Sequence, residues 1–369
     1  MHKFGRSYTP VFTVLSLSLI LVGITMFQSG YSQVPNTFSA ASIILGNDKP
    51  ISATIDEKTS KVYGIFATES GAKNLIYVID TTENKVLDTI EIGSDKNDFL
   101  SSIALDPERG ILYAAGQHLV NENDTTVAYD TVYLINSTDN KFKRIQLYNE
   151  TEEGKEGSLA GISVNPVTNK IYVGSLYPEG GNPGLYVIDG NSLESIYLDK
   201  WQYGIKDIQL DPESNLLYAG AKYDNLISII DESNNQIVEN ITAQSPIALT
   251  LNSEEKILYE AGSDGNVNAI DLSSKKNISS IQGEHVKNIL YNPNDKLLYI
   301  VDQNLSNILS KNSNGTKSMA IAVNTTNNIV NKFETEFIVE NILINSSTNQ
   351  AYLLGYDGKN SKLFVINSH

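Results

Sequence analysis

Seven copies of one short pattern run along this sequence. In each copy an Asp or Asn follows an apolar residue, and a Tyr stands seven positions after it. Successive copies are 40 to 59 residues apart, whereas the offset of seven is constant. A fixed offset inside units of variable length indicates a repeat protein with one rigid turn and other loops of variable length. The pairs are Asp56 and Tyr63, Asp106 and Tyr113, Asn165 and Tyr172, Asp211 and Tyr218, Asn252 and Tyr259, Asn292 and Tyr299, and Asn345 and Tyr352.

The third copy shows most clearly what one unit contains. The segments 161–173, 185–189 and 193–198 alternate β-branched or aromatic residues with polar or small ones, and turn residues separate them. This pattern predicts four short antiparallel strands per unit, here named A to D. Four-stranded units of about 40–50 residues are typical of a β-propeller. The sequence therefore predicts an all-β fold, a seven-bladed β-propeller with four-stranded antiparallel blades, over residues 34–369.

The two ends of the repeat region predict how the ring closes. The last unit supplies strands A, B and C, and the sequence then reaches His369. Residues 42–46, before the first unit, resemble the end of a strand D at residues 89–93. We therefore expect an N-terminal strand, residues 41–46, to complete the last blade, because this pairing leaves no long sheet edge exposed.

Residues 1–33 have a different character. A basic start with Lys3 and Arg6 precedes an apolar run from Val11 to Phe27, which is typical of an export signal peptide or an uncleaved membrane anchor. The small residues Gly30 and Ser32 favour cleavage after Ser32. Either alternative predicts that the rest of the chain is extracellular or lies at the cell surface.

Charge and cysteine content exclude several function classes. Removing residues 1–32 takes away two basic residues and no acidic one, which changes the formal net charge from −16 to about −18. Such a surface disfavours nucleic acid and anionic lipid as partners. The chain has no Cys, so disulfides, Cys-ligated metals and thiol catalysis are excluded.

The repeat resembles that of a known family. The segment Val164-Asn-Pro-Val-Thr-Asn-Lys-Ile-Tyr-Val173, followed by Tyr186-Val-Ile-Asp189, is similar to the repeat of the YVTN-type propellers of archaeal surface layers and exported bacterial proteins. The resemblance covers about residues 41–369 and implies a propeller fold and an exported location. It leaves the activity open, because related propellers include interaction scaffolds, lactonases and domains of redox enzymes. The chain departs from the redox members in lacking a set of His residues that could hold haem or copper.

Loop lengths predict where a ligand would bind. The A–B link has a constant length, whereas the B–C and D–A links vary, and in a propeller these two variable links lie on one face. The D–A links also bring the start of each strand A to the mouth of the central channel. Polar residues gather there in three units, and the sole Trp is near them. The candidate binding residues are Trp201, Lys206, Asp207, His285, Lys287 and Glu340.

These residues have alternative interpretations. Trp201 is a candidate to stack on a sugar or cap a peptide, and the alternative is that it seals a loop. His285 with Asp207 or Glu340 is a candidate acid/base pair, and the alternative is a set of solvated charges. Asp264-Gly-Asn266 is interpreted as a tight turn, since it lacks the ligand pattern of an EF-hand. The glycosylation candidates are Asn123, Asn149, Asn304 and Asn314, which lie in inserted loops.

Two functions remain open from the sequence. The leading hypothesis is a non-enzymatic, extracellular or cell-surface scaffold that binds a protein or glycan and needs no cofactor. The alternative is a lactonase- or hydrolase-like enzyme that uses the channel-mouth residues, with a divalent cation held by Asp207 or Glu340. No catalytic residue and no metal ligand set is assigned, since neither a nucleophile elbow nor a phosphate-binding loop is present.

Overall fold

The computed structural model describes residues 42–68, 74–92, 97–122, 125–147, 158–176, 183–303 and 318–368. Within these ranges the regular structure is all β, with 28 strands in seven four-stranded antiparallel sheets. The predicted fold class, a seven-bladed β-propeller, is confirmed. Among these residues no helix is long and apolar enough to cross a membrane. Residues 1–33, with the predicted signal or anchor, lie outside the described part of the chain.

The strands follow the predicted A-to-D order within each blade. Blade one contains β2 (Lys49–Asp56), β3 (Lys61–Ala67), β4 (Asn74–Asp80) and β5 (Lys85–Glu91); blade two β6 (Asp98–Asp106), β7 (Ile111–Glu122), β8 (Thr125–Asn136) and β9 (Phe142–Gln146); blade three β10 (Ser158–Asn165), β11 (Lys170–Leu176), β12 (Gly184–Asp189) and β13 (Ser195–Leu198). Blade four contains β14 (Asp207–Asp211), β15 (Leu216–Ala221), β16 (Leu226–Asp231) and β17 (Gln236–Thr242); blade five β18 (Pro246–Asn252), β19 (Ile257–Gly262), β20 (Asn266–Asp271) and β21 (Lys276–Gln282). Blade six contains β22 (Val286–Asn292), β23 (Leu297–Gln303), β24 (Ser318–Asn324) and β25 (Val330–Thr335), and blade seven β26 (Ile338–Asn345), β27 (Gln350–Tyr356), β28 (Ser361–Asn367) and β1 (Ser42–Gly46).

The first strands of the blades form the inner ring. Each strand A contacts strand A of the next blade, and β26 of blade seven contacts β2 of blade one. The outer strand of blade seven comes from the other end of the chain, because β1 pairs antiparallel with β28, with Ser42 opposite Phe364. Apolar side chains from neighbouring blades pack together between the sheets, for example Ile65, Ile103 and Leu112 from blades one and two.

The turn between strands A and B explains the constant offset of the repeat. In blade one the Oδ1 atom of Asp56 accepts hydrogen bonds from the main-chain N–H groups of Lys58 and Thr59, at 3.0 and 3.3 Å. An Asp or Asn side chain suits this role because it reaches the main chain two or three residues ahead. The fourth residue after it has a positive φ in all seven blades, at Ser60, Gly110, Asn169, Asn215, Lys256, Lys296 and Asn349.

The turns between strands C and D lie beside the A–B turns. In blade one the main-chain N–H of Thr81, just after β4, donates to the carbonyl of Ser60 at 3.0 Å. The corresponding bond is present in all seven blades, from residues 81, 137, 190, 232, 272, 325 and 368. The A–B and C–D turns therefore share one face of the propeller, which we call the turn face.

The repeated tyrosines are structural. All seven are buried, with exposed fractions from 0% for Tyr172 to 6% for Tyr259. Tyr172, for example, packs between blades three and four with Leu185 and Ile208. The hydroxyl of Tyr352 has a polar partner, because it donates to Gln350 Oε1 at 2.7 Å. The Tyr172 hydroxyl has no such partner among the described residues.

The B–C and D–A links meet on the opposite face, which we call the loop face. The main-chain N–H of Ser263, in a B–C turn, donates to the carbonyl of Gln244, in a D–A link, at 3.3 Å. Two further D–A links are tied in the same way, since Gln202 donates to Asp224 at 3.2 Å and His285 to Asp302 at 2.7 Å through their main-chain N–H groups. The expectation that both variable links share one face is confirmed.

Candidate functional site: the channel mouth on the loop face

The channel mouth is formed by the first residues of the inner strands. These strands are too close to one another for bulky side chains at every position. A Cβ atom on Gly161 of β10 would lie 3.0 Å from the carbonyl oxygen of Lys206. Polar side chains bridge other blades: Ser52 Oγ accepts from the N–H of Ile103 at 3.3 Å.

Asp207 is the first residue of β14, strand A of blade four, and Lys206 precedes it. The Asp207 Oδ2 atom accepts a hydrogen bond from the main-chain N–H of Leu249 in blade five, at 2.7 Å. Burial raises the pKa of the Asp207 carboxyl, although this hydrogen bond opposes the shift. Burial lowers the pKa of the Lys206 ammonium; the negative charge of Asp207 opposes this shift, and the positive charges of Lys222 and Lys287 add to it. Asp207 therefore joins two blades and is not a free carboxylate open to solvent.

Glu340 of β26 lies between two lysines. It is hydrogen-bonded to Lys287 Nζ of blade six, and its Oε1 atom lies 3.6 Å from Lys49 Nζ of blade one. The carboxylate is largely buried, whereas both ammonium groups are partly exposed. The Glu340 carboxylate therefore joins blade seven to blades six and one through two ammonium groups.

His285 is exposed, and its main-chain N–H is bound by Asp302. No hydrogen bond or ion pair joins its ring to Asp207 or Glu340, all three of which lie in the described part of the chain. Those two carboxylates are held by other partners. The structure therefore brings the candidate acid/base residues to the same face but does not pair them.

Trp201 is not a surface residue. Its side chain is 6% exposed and packs in the apolar cluster between blades three and four with Leu185, Ile205 and Leu217. The indole Nε1–H donates to Ser228 Oγ at 2.9 Å. Of the two interpretations open from the sequence, the structure shows the one in which Trp201 seals a link, and it removes the ring as a platform for a sugar.

The remaining predictions from the sequence concern glycosylation and metal sites. Asn123, Asn149, Asn304 and Asn314, the glycosylation candidates, lie outside the described residues. Among the described residues, no group of three or more His, Cys, Asp or Glu side chains could hold a metal ion.

Two polar clusters on the loop face were missed from the sequence. In blade two the Asp98 carboxylate, 6% exposed, accepts from the Tyr133 hydroxyl and lies 2.7 Å from His118 Nδ1 and 3.5 Å from an Arg144 nitrogen. In blade five Glu260, fully buried, lines a cavity of about 360 Å³. The signal for Glu260 was available, since a charged residue follows the repeated Tyr in this blade alone.

A scan against protein-family models finds no match, and a search of curated proteins finds no significant match.

Proposed function

We propose that this chain is an exported, non-enzymatic propeller of the YVTN-repeat type that binds a protein or glycan at the cell surface through its loop face. The N-terminal sequence and the repeat resemblance support the location. The division between a turn face of constant geometry and a loop face of variable links supports the choice of surface, because binding sites arise where a rigid scaffold tolerates loop changes.

The observation that carries this proposal is the gathering of lysines at the channel mouth of an acidic chain. Lys49, Lys206 and Lys287 come from three different blades, and Lys222 lies close enough to affect Lys206. Two carboxylates stand against these four lysines at the mouth: Asp207, which accepts from a main-chain N–H, and Glu340, which Lys49 and Lys287 share. Cations concentrated on one face favour a partner that carries carboxylates or other anionic groups, and they favour rapid association with it.

The test is capture of partners from the surface fraction of the host by the purified chain, followed by measured affinity for the captured partner. A Lys49→Ala/Lys287→Ala variant should weaken binding at least tenfold, and the effect should shrink at high salt. The matched control is Lys58→Ala/Lys141→Ala, which removes two exposed lysines from the turn face. Loss of binding in the control alone would place the binding surface on the turn face and contradict the proposal.

A further inference from the structure

Glu260 departs from the repeat at a position that is otherwise apolar or small. It follows Tyr259 on β19 and is fully buried. The residues at the same offset in the other blades are Gly64, Ala114, Val173, Ala219, Ile300 and Leu353. A buried carboxyl group costs stability unless it is fully hydrogen-bonded or paired. Departures from a repeat that cost stability are expected at functional sites.

The residue opposite Glu260 departs from the repeat as well. Asn268 on β20 pairs with Glu260, and the third strand of most other blades has a large side chain at this position. Those residues are Tyr77, Tyr133, Tyr186, Ile321 and Phe364. In blade four the position is Ser228, which Trp201 covers. In blade five Asn268 instead lines the cavity of about 360 Å³ together with Glu260, Asp264 and Gln244.

Three oxygen atoms converge at this cavity. A Cβ atom on Gly262 would lie 2.6 Å from Asp264 Oδ1, 2.7 Å from the Gln244 carbonyl oxygen and 3.3 Å from Glu260 Oε1. Glycine is therefore required at 262, and the three oxygens surround one small region beside it. The Glu260 Oε2 atom accepts from Asn268 Nδ2 at 2.7 Å, whereas Oε1 has no hydrogen-bond partner among the described residues.

We propose that this cavity binds a calcium ion through Glu260 Oε1, Asp264 Oδ1 and the carbonyl oxygen of Gln244. All three ligands are hard oxygen donors, and two of them are carboxylates that balance the charge of a divalent cation. Calcium accepts six to eight oxygen ligands in a flexible geometry, so water completes its shell in a cavity of this size. Magnesium fits less well, because it needs a near-ideal octahedron of short bonds.

The charges around Glu260 favour a cation. Burial raises the pKa of the Glu260 carboxyl to about 7, and the nearby negative charge of Asp264 adds to the shift. The cation that lines the cavity, Lys275, donates its Nζ–H to the Leu272 carbonyl and lies 3.9 Å from Glu239. The Glu260 Oε1 atom, which has no hydrogen-bond partner among the described residues, therefore lies in negatively charged surroundings that suit a cation.

Isothermal titration of the full chain with calcium chloride tests this proposal. We expect one ion per chain, with a dissociation constant on the order of 10⁻⁴ to 10⁻³ M, as for extracellular calcium sites. Glu260→Gln and Asp264→Asn should each weaken binding at least tenfold, and magnesium should bind at least tenfold more weakly than calcium. The matched control is Asp224→Asn, because Asp224 occupies the corresponding turn of blade four and binds the main chain of Gln202 and Tyr203.

Calcium binding that survives both Glu260→Gln and Asp264→Asn would overturn the proposal, as would an absence of binding to the unmodified chain at 10 mM, roughly tenfold above the expected range. Equal affinity for magnesium would overturn the assignment to calcium. If one variant fails to fold, the other variant and the comparison of calcium with magnesium on the unmodified chain decide.

Discussion

Blades four and five differ at one position of their third strands, which is Ser228 in blade four and Asn268 in blade five. In blade four Ser228 is fully buried, accepts the Trp201 Nε1–H at 2.9 Å and donates to Asn240 Oδ1 at 2.7 Å. In blade five Asn268 contacts the buried Glu260 and borders a cavity. In blade four an aromatic ring from a D–A link covers the position. In blade five the position borders a cavity, and the neighbouring Glu260 Oε1 atom has no hydrogen-bond partner within the described part of the chain.

The difference shows that the repeat fixes a space beside the third strand of each blade, whereas the residue that fills this space differs between blades. Blades one to three use a Tyr on the third strand itself, and blade four uses a Trp from the preceding link. Blade five uses neither, although apolar packing at this depth would be more favourable than a lone carboxyl group. A polar position that is kept where an apolar side chain would be more stable supports a ligand site at this cavity.

The largest expected effect is loss of the seal in blade four. Trp201→Ala should lower the free energy of unfolding by about 3–5 kcal/mol, because it removes a buried aromatic ring and leaves a cavity between blades three and four. Chemical denaturation monitored by circular dichroism measures the change. The control is Tyr223→Ala, since Tyr223 is 49% exposed and lies in the B–C turn of the same blade. Equal losses in both variants would show that Trp201 contributes no more than a surface ring.

The open position should make stability depend on pH. Because folding raises the Glu260 pKa from 4.5 to about 7, the folded chain keeps a proton that the unfolded chain has lost between these values. The free energy of unfolding should therefore fall as the pH rises through this window and level off above it. The total fall is about 3 kcal/mol, from the size of the shift.

The measurement is denaturation of the unmodified chain and of Glu260→Gln from pH 4.5 to 8 in the presence of a chelator. The difference between the two curves of unfolding free energy against pH is the contribution of Glu260. The exposed Glu213→Gln on the turn face is the control and should follow the unmodified chain. Parallel curves for the unmodified chain and Glu260→Gln would show that Glu260 does not titrate in the folded protein in this range.

Restoring the repeat should close the cavity and stabilise the fold. Glu260→Leu/Asn268→Phe gives blade five the pair that Leu353 and Phe364 form in blade seven. At pH 7.5 without calcium we expect a gain of roughly 2 kcal/mol, since the lost desolvation cost exceeds the strain of repacking. The single variant Asn268→Phe should be destabilising, because it leaves Glu260 without its hydrogen-bond donor. A double variant less stable than the unmodified chain would mean that the open position is better packed than its cavity indicates.

The parts of this fold that could be predicted from sequence are those set by local contacts. The A–B turn is fixed by hydrogen bonds that the Asp56 carboxylate accepts from main-chain N–H groups two and three positions ahead, so its signature survives in every copy. The buried Tyr at a fixed offset follows from that turn. Blade number and strand order follow in the same way, because each blade is a local unit that pairs mainly with itself.

The candidate site was predicted less well because it depends on contacts between blades. Glu340 and Lys287 are brought together from two units, and nothing local in either sequence specifies this pairing. Trp201 was placed on the correct face, but its burial depends on Ser228 in the next blade. Glu260 is visible as a break in the repeat. The carbonyl of Gln244 that approaches it comes from a link whose path only packing determines.

The smallest expected effect separates two contributions of Trp201 to blade four, the volume of its ring and its hydrogen bond to Ser228. Trp201→Phe keeps an aromatic ring in the apolar cluster but removes the Nε1–H that donates to Ser228 Oγ. Ser228 keeps its bond to Asn240, so no hydroxyl is left without a partner. The loss should be about 1 kcal/mol, the usual net value of a neutral hydrogen bond, with a small addition for the smaller ring. Denaturation midpoints of Trp201→Phe and Trp201→Ala, measured side by side, give the comparison. If Trp201→Phe lowers the free energy of unfolding as much as Trp201→Ala, the hydrogen bond to Ser228 stabilises this position and the ring volume does not. The contrast with blade five would then be one of hydrogen bonding and not of packed volume.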